Sequence, residues 1–113
     1  MLYLQSGNIK EGRQKDYQAW VKKNEGLIKK HAPNGWIYWG TFGTVFGFGR
    51  FDTTTIWEVG KYGDLDASRE HKDETFVRLT EEWTDFFIPG AGEATLIREI
   101  GDVRIIEPEK QKK

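Results

Sequence analysis

Residues 35–59 read GWIYWGTFGTVFGFGRFDTTTIWEV, and this stretch decides the architecture. It holds Trp36, Trp39 and Trp57, three of the five tryptophans in the chain. Large apolar side chains fall on both parities, with Trp36, Tyr38 and Phe42 on one and Ile37 and Trp39 on the other. A half-buried strand alternates apolar with polar, so a run apolar on both parities predicts a sheet covered on both faces. Gly43, Gly47 and Gly49 interrupt the run and predict a hairpin at FGFGRF. Phe51–Val59 is then the returning strand, with Thr53, Thr54 and Thr55 as β-branched strand formers.

Working outward, Tyr17, Trp20, Val21, Asn24, Leu27, Ile28 and His31 fall at one helical spacing and predict a helix over Arg13–His31. Pro33, Asn34 and Gly35 stop it. Met1–Gly7 is a short strand. Downstream, GKYGDLDAS is a loop that supplies Asp66 or Ser68 as a helix cap. A second, single helix runs from there to Phe87, with Phe76, Leu79, Thr80, Trp83, Phe86 and Phe87 along its apolar side. Pro89, Gly90 and Gly92 end it, and Ala94–Ile106 forms the last strand, bent near Gly101–Asp102. Residues 1–107 make a single domain, and the charged tail at 108–113 is expected to be disordered.

Composition narrows the function classes. One domain suits 113 residues. The aromatic share of 14% supplies much of the core volume. A net charge of -1 argues against a surface built for phosphate backbones, so no nucleic-acid partner is expected. With no cysteine there is no disulfide, thiolate nucleophile or Cys-based metal site. No apolar run approaches the ~20 residues that cross a bilayer, and no basic-then-apolar leader opens the chain. The expectation is a cytoplasmic protein with no membrane partner.

The element order βαββαβ predicts an α+β, ferredoxin-like domain: a four-stranded antiparallel sheet with two helices on one face. Two helices cover only one face. Rings on the other face would lie in water as an apolar patch too large for a monomer. The expected solution is a homodimer in which two sheets pack face to face as an α/β barrel.

The chain resembles the dimeric α/β-barrel superfamily over nearly its whole length. The resemblance lies in Gly12 ahead of the first helix, Tyr17 and Trp20 on that helix, and a tryptophan closing the third strand. Gly40-Thr41-Phe42, Gly47, Ile56-Trp57-Glu58 and Arg69 are similar to the NIPSNAP-type branch, and the chain also resembles antibiotic-biosynthesis-monooxygenase-like proteins. A second resemblance, to the RNA-recognition motif, rests on Leu2-Tyr3-Leu4 and Gly47-Phe48-Gly49-Arg50-Phe51. In that family, rings on the open sheet face stack on bases. The charge balance, the hairpin role of the glycines and the long second helix count against it.

The barrel resemblance also implies where a ligand would sit. In the cofactor-independent and heme-degrading monooxygenases of that superfamily, a strand-one amide points into a pocket between sheet and helices. Counting back from Gly12, that amide is Gln5, expected to be buried on the helix side with Tyr3 and Gly7 on its parity. The histidine of the family's second helix does not align with His71, and its companion tryptophan falls at Asp66, which speaks against heme degradation. The candidate catalytic residues are therefore Gln5, as oxyanion donor, and His71, as proton acceptor. Tyr3, Tyr17 and Trp57 are candidate ligand contacts, and Arg98 is a candidate anion anchor.

Glu70, His71, Asp73 and Glu74 cluster at the start of the second helix, where acidic residues offset the helix dipole. His31, at the end of the first helix, has a capping role on the same grounds. Neither is read as a metal ligand, and no cofactor is expected. The expected function is binding of a small apolar or aromatic molecule, extended to cofactor-independent oxidation of an electron-rich aromatic substrate. The alternatives are a non-catalytic binding or assembly module and an RNA-recognition-motif-like binder.

Overall fold

The computed structural model of the protein describes residues 1–45 and 50–101. The tip of the expected FGFGRF hairpin, the last strand beyond Gly101 and the tail lie outside the described residues. Strands β1 (Leu2–Gly7), β2 (Trp36–Gly43), β3 (Thr53–Val59) and β4 (Glu93–Ile97) form one sheet in the order β2-β3-β1-β4. All three pairings are antiparallel, and β1 lies between β3 and β4 with Gln5 opposite Thr55 and Ala94. This is the expected ferredoxin-like α+β sheet.

Parity along β3 is regular: Thr53, Thr55, Trp57 and Val59 are buried, and the residues between them are half-buried. The buried set faces the helices. Along β2 the parity changes, because the register shifts between Tyr38 and Gly40. Tyr38 pairs with Trp57 on the helix side, but beyond the bulge Thr41 pairs with Thr55 there and Phe42 pairs with Thr54 on the open side. Phe42 therefore does not share a face with Trp36 and Tyr38 as the sequence parity predicts. Gly40 absorbs the irregularity at φ +148°, and the Phe42 ring lies across it.

Helix α1 (Gln14–His31) buries Tyr17, Val21, Asn24 and Ile28, the stripe that its spacing predicts. The expected single second helix is two: α2 (Asp64–Glu70) and α3 (Glu74–Thr84). His71 is extended at φ -72°, ψ 117°, and Asp73 caps α3 by accepting the Phe76 backbone N–H at 2.9 Å. Asp73 is thus the working cap. Ser68 instead donates its hydroxyl to the Leu65 carbonyl, and Asp66 faces Arg69. Phe86 and Phe87 follow α3 as a turn that pairs with the segment after β1, where Lys10 N–H donates to the Phe86 carbonyl and Ile88 N–H to that of Asn8.

The core lies between this sheet face and the helices. Ile28, Tyr38, Trp57 and Leu79 form one buried cluster, and Ile9, Tyr17, Val21 and Phe86 form another. The opposite face carries Leu2, Leu4, Ile56 and Trp39, with Ile37 55%, Phe42 52% and Ile97 45% exposed.

Candidate functional site

A cavity of about 650 Å³ opens between the helix-facing side of the sheet and α3. Its walls are rings from four elements and a turn: Tyr3, Trp36, Trp57, Phe76, Trp83 and Phe87. Tyr3 and Trp36 meet at 78°, Trp36 and Trp57 at 77°, and Trp57 and Phe76 at 69°. Successive edge-to-face contacts of this kind are favourable and set the walls at steep angles to one another. Phe76, Thr80 and Trp83 reach the cavity from one side of α3. At its end, Phe87 lies on Gly7, where a Cβ would stand 2.7 Å from the ring.

Gln5 lines this cavity on the helix side. It is exposed to the cavity mouth and not buried as expected. Its Oε1 accepts the Trp57 indole N–H at 2.8 Å. An indole N–H only donates, so the amide oxygen must face it and the amide NH₂ must face away. Trp57, only 2% exposed, thereby orients the Gln5 donor.

His71 also lines the cavity, with its ring edge-to-face on Phe76 at 5.3 Å. Its Nε2 lies 2.6 Å from the His31 backbone carbonyl. A carbonyl only accepts, so Nε2 carries the proton and Nδ1 of the neutral ring keeps its lone pair. The extended backbone of His71 between α2 and α3 brings the ring to the cavity wall. His31 donates Nδ1–H to Asp73 at 2.7 Å, so the two histidines and the α3 cap are one network. That bond, with the Phe76 N–H, holds the Asp73 carboxyl below its ordinary value.

The other two candidates lie elsewhere. Tyr17 is buried, and its ring packs edge-to-face on Phe86 and Phe87. It accepts the Trp83 indole N–H at 3.2 Å and donates to Thr53, whose hydroxyl donates to the Phe42 carbonyl. Every proton in that chain is used, so Tyr17 supports the wall from behind. Arg98 is exposed beyond the end of β4 and is not among the cavity residues. Tyr3 turns toward the helices, so the open-face ring that the RNA-recognition resemblance needs is not at that position.

A hydroxyl relay was not anticipated. Thr55, a cavity residue, lies 3.0 Å from Thr41, which lies 2.6 Å from Tyr38. The Tyr38 hydroxyl donates to Glu25 Oε1 at 2.8 Å. Burial, with the Glu25 carboxylate adding to it, pushes the Tyr38 phenol well above its ordinary value, so it stays a donor. The remaining protons are then assigned in turn. Thr41 donates to Tyr38, Thr55 donates to Thr41, and Thr55 Oγ1 keeps only lone pairs. Thr55 shares the buried parity of Trp57 along β3, but the bulge that brings Thr41 to the same face left no sequence signal. Among the described residues no group of three His, Asp or Glu side chains is placed to hold a metal ion, and no helix is long and apolar enough to cross a membrane.

The strand order and the helix-side cavity describe a fold seen in several solved structures. An uncharacterised NIPSNAP domain protein from Burkholderia xenovorans superposes with a TM-score of 0.66 at 14% identity, over 91% of this chain and 98% of the other. A NIPSNAP family protein from Agrobacterium tumefaciens gives 0.61 at 15% identity, over 88% and 87% of the two chains. The fold is the ferredoxin-like one of NIPSNAP-type proteins. A structure described as an antibiotic biosynthesis monooxygenase shares it, with a TM-score of 0.58 at 15% identity over 89% of this chain and 100% of the other. No family model matches the sequence, and no curated protein matches it.

Proposed function

We propose that the protein is a homodimer that binds a small apolar or aromatic molecule in each subunit and oxidises phenolic ligands with dioxygen, without a cofactor. The observation that carries this reading is the orientation of two polar groups at the wall of one aromatic cavity. Trp57 turns the Gln5 NH₂ outward, and the His31 carbonyl fixes the His71 tautomer with Nδ1 bare. His71 Nδ1 accepts the phenol proton, and the Gln5 amide donates to the phenolate oxygen. Dioxygen is the oxidant. A phenol with a free ring position and O₂ give a quinone and water: one oxygen atom stays on the ring, and the other leaves with the phenol and ring hydrogens. A neighbour of the same fold is described as a monooxygenase, which is the same reaction class.

The homodimer is supported by the open sheet face, where Ile37, Phe42 and Ile97 are exposed beside Leu2, Leu4 and Ile56. A second copy packed there as a barrel would bury on the order of 2,000 Å². Titration with naphthol tests the reading directly, since Trp36, Trp57 and Trp83 line the cavity and report through fluorescence. Saturable quenching with oxygen uptake in an electrode is the expected result. Gln5→Glu keeps an acceptor for the Trp57 indole but replaces the donor, so it should remove uptake while the fold stays intact. Binding without uptake reduces the function to a binding module, and failure of both rejects it.

A further inference from the structure

The polar groups that face the cavity are unevenly matched. Each indole donor of its walls is already used: Trp57 on Gln5, Trp83 on Tyr17, and Trp36 on the Asp64 carbonyl at 2.6 Å. Among the described residues no lysine or arginine lines the cavity, and Glu81 is the carboxylate residue of its lining. Glu81 makes no ion pair among the described residues, while its neighbour Glu82 is held by Arg78 and the Trp20 indole. Thr55 offers only lone pairs, and neutral His71 offers the Nδ1 lone pair. Against these stand the oriented Gln5 amide and the hydroxyls of Thr80 and Thr84, which can donate or accept. An anionic ligand would meet a carboxylate, acceptors and ring faces of negative potential. A cation would find each of them complementary.

From this imbalance we propose that the ligand of this cavity is a cationic phenol, an aromatic molecule that carries the reacting hydroxyl and an alkylated ammonium group whose charge balances the phenolate. Tyr3, Trp36, Trp57 and Phe76 line the space that takes the ammonium, and the Glu81 carboxylate in the same lining offsets its charge. Ring faces attract a quaternary ammonium without hydrogen bonds, which suits walls whose N–H groups point elsewhere. The volume of about 650 Å³ lies in the range of small-molecule sites and admits an arene with such a substituent. The inference rests on the proposed binding function and names the class of molecule bound. It also replaces the anion anchor expected at Arg98.

The test is calorimetric titration of the full chain with three probes of similar size: benzyltrimethylammonium, its neutral carbon isostere neopentylbenzene, and benzenesulfonate. The ammonium should bind about ten-fold more tightly than the neutral isostere, the ratio expected for one desolvated cation–π contact. Benzenesulfonate should bind most weakly. Glu81→Gln, which removes the carboxylate from the cavity lining, should narrow the ratio several-fold. Equal affinity for ammonium and neutral probe, or tightest binding of the sulfonate, overturns the charge assignment and leaves the binding function standing. Failure of all three probes overturns both.

Discussion

The two faces of the sheet use the same four strands to opposite ends. On the helix side Thr53, Thr55, Trp57 and Val59 are buried, rings meet edge to face, and hydroxyls run in directed chains from Thr55 to Glu25 and from Tyr17 to Phe42. On the open side the polar groups pair sideways within the sheet. Ser6 meets Thr54 at 2.9 Å, and the Trp39 indole donates to Glu58 at 3.2 Å. That lateral pairing leaves the exposed tips of Ile37 and Phe42 without polar demands. One face is completed by its own chain around a cavity, and the other leaves Ile37, Phe42 and Ile97 exposed.

The sharpest way to break this contrast is to truncate one ring on each side. Trp57→Ala removes a side chain that touches Tyr38, Trp36 and Phe76, and should cost about 3–5 kcal/mol in urea unfolding. Ile37→Ala, at 55% exposure, should cost an isolated subunit less than about 1 kcal/mol. Equal losses at the two sites would erase the distinction between a finished and an unfinished face.

Charging the open face tests its role in assembly. Ile37→Asp together with Phe42→Asp should convert a dimer to a folded monomer in sedimentation, with the far-UV circular dichroism spectrum retained. A wild-type protein that is monomeric at micromolar concentration would remove the homodimer from the proposal and leave the cavity to stand alone.

The contrast also explains what the sequence could and could not reveal. Regular spacing was legible: the Tyr17–Ile28 stripe and the ferredoxin-like order of strands follow from repeating geometry. Gln5 was placed on the helix side by parity alone, although its exposure was not. The failures sit where one residue changes the count. The bulge before Gly40 moved Phe42 to the open face and brought Thr41 into the relay. Asp73 divided the second helix because its side chain competes for the Phe76 N–H, while Asp66 and Ser68 offered plausible caps nearby. That division carried His71 into the cavity wall. Arg98 follows the end of β4 and is not among the cavity residues, a placement that a strand read over Ala94–Ile106 does not reveal.

A smaller effect should follow from Tyr38→Phe, which keeps the ring on Trp57 and removes the hydroxyl between Thr41 and Glu25. Loss of the bridge should cost about 1 kcal/mol. It should also free the Thr41 and Thr55 protons to reverse, so that Thr55 can donate into the cavity. Affinity for a cationic probe should then fall and that for a neutral probe should hold. Unchanged discrimination would show that the relay is structural only.

The smallest expected effect lies at the break between the helices. Asp73 has its carboxyl held below the ordinary value of about 3.9 by the His31 Nδ1–H and the Phe76 N–H. The unfolded chain therefore takes up that proton more readily than the folded one. The stabilisation is full above the ordinary carboxylate value and is lost as pH falls through the lower folded value. Asp73→Asn keeps a capping oxygen for Phe76 but has no charge to titrate. The gap in melting temperature between wild type and variant should thus be largest near neutral pH and shrink on acidification below about pH 4. The His71 ring hydrogen-bonds to the backbone of His31, so the same substitution should shift the His71 imidazole resonances in nuclear magnetic resonance spectra. A gap that stays constant into acid would mean that cap geometry, and not the Asp73 charge, holds α2 and α3 apart and keeps His71 turned toward the cavity.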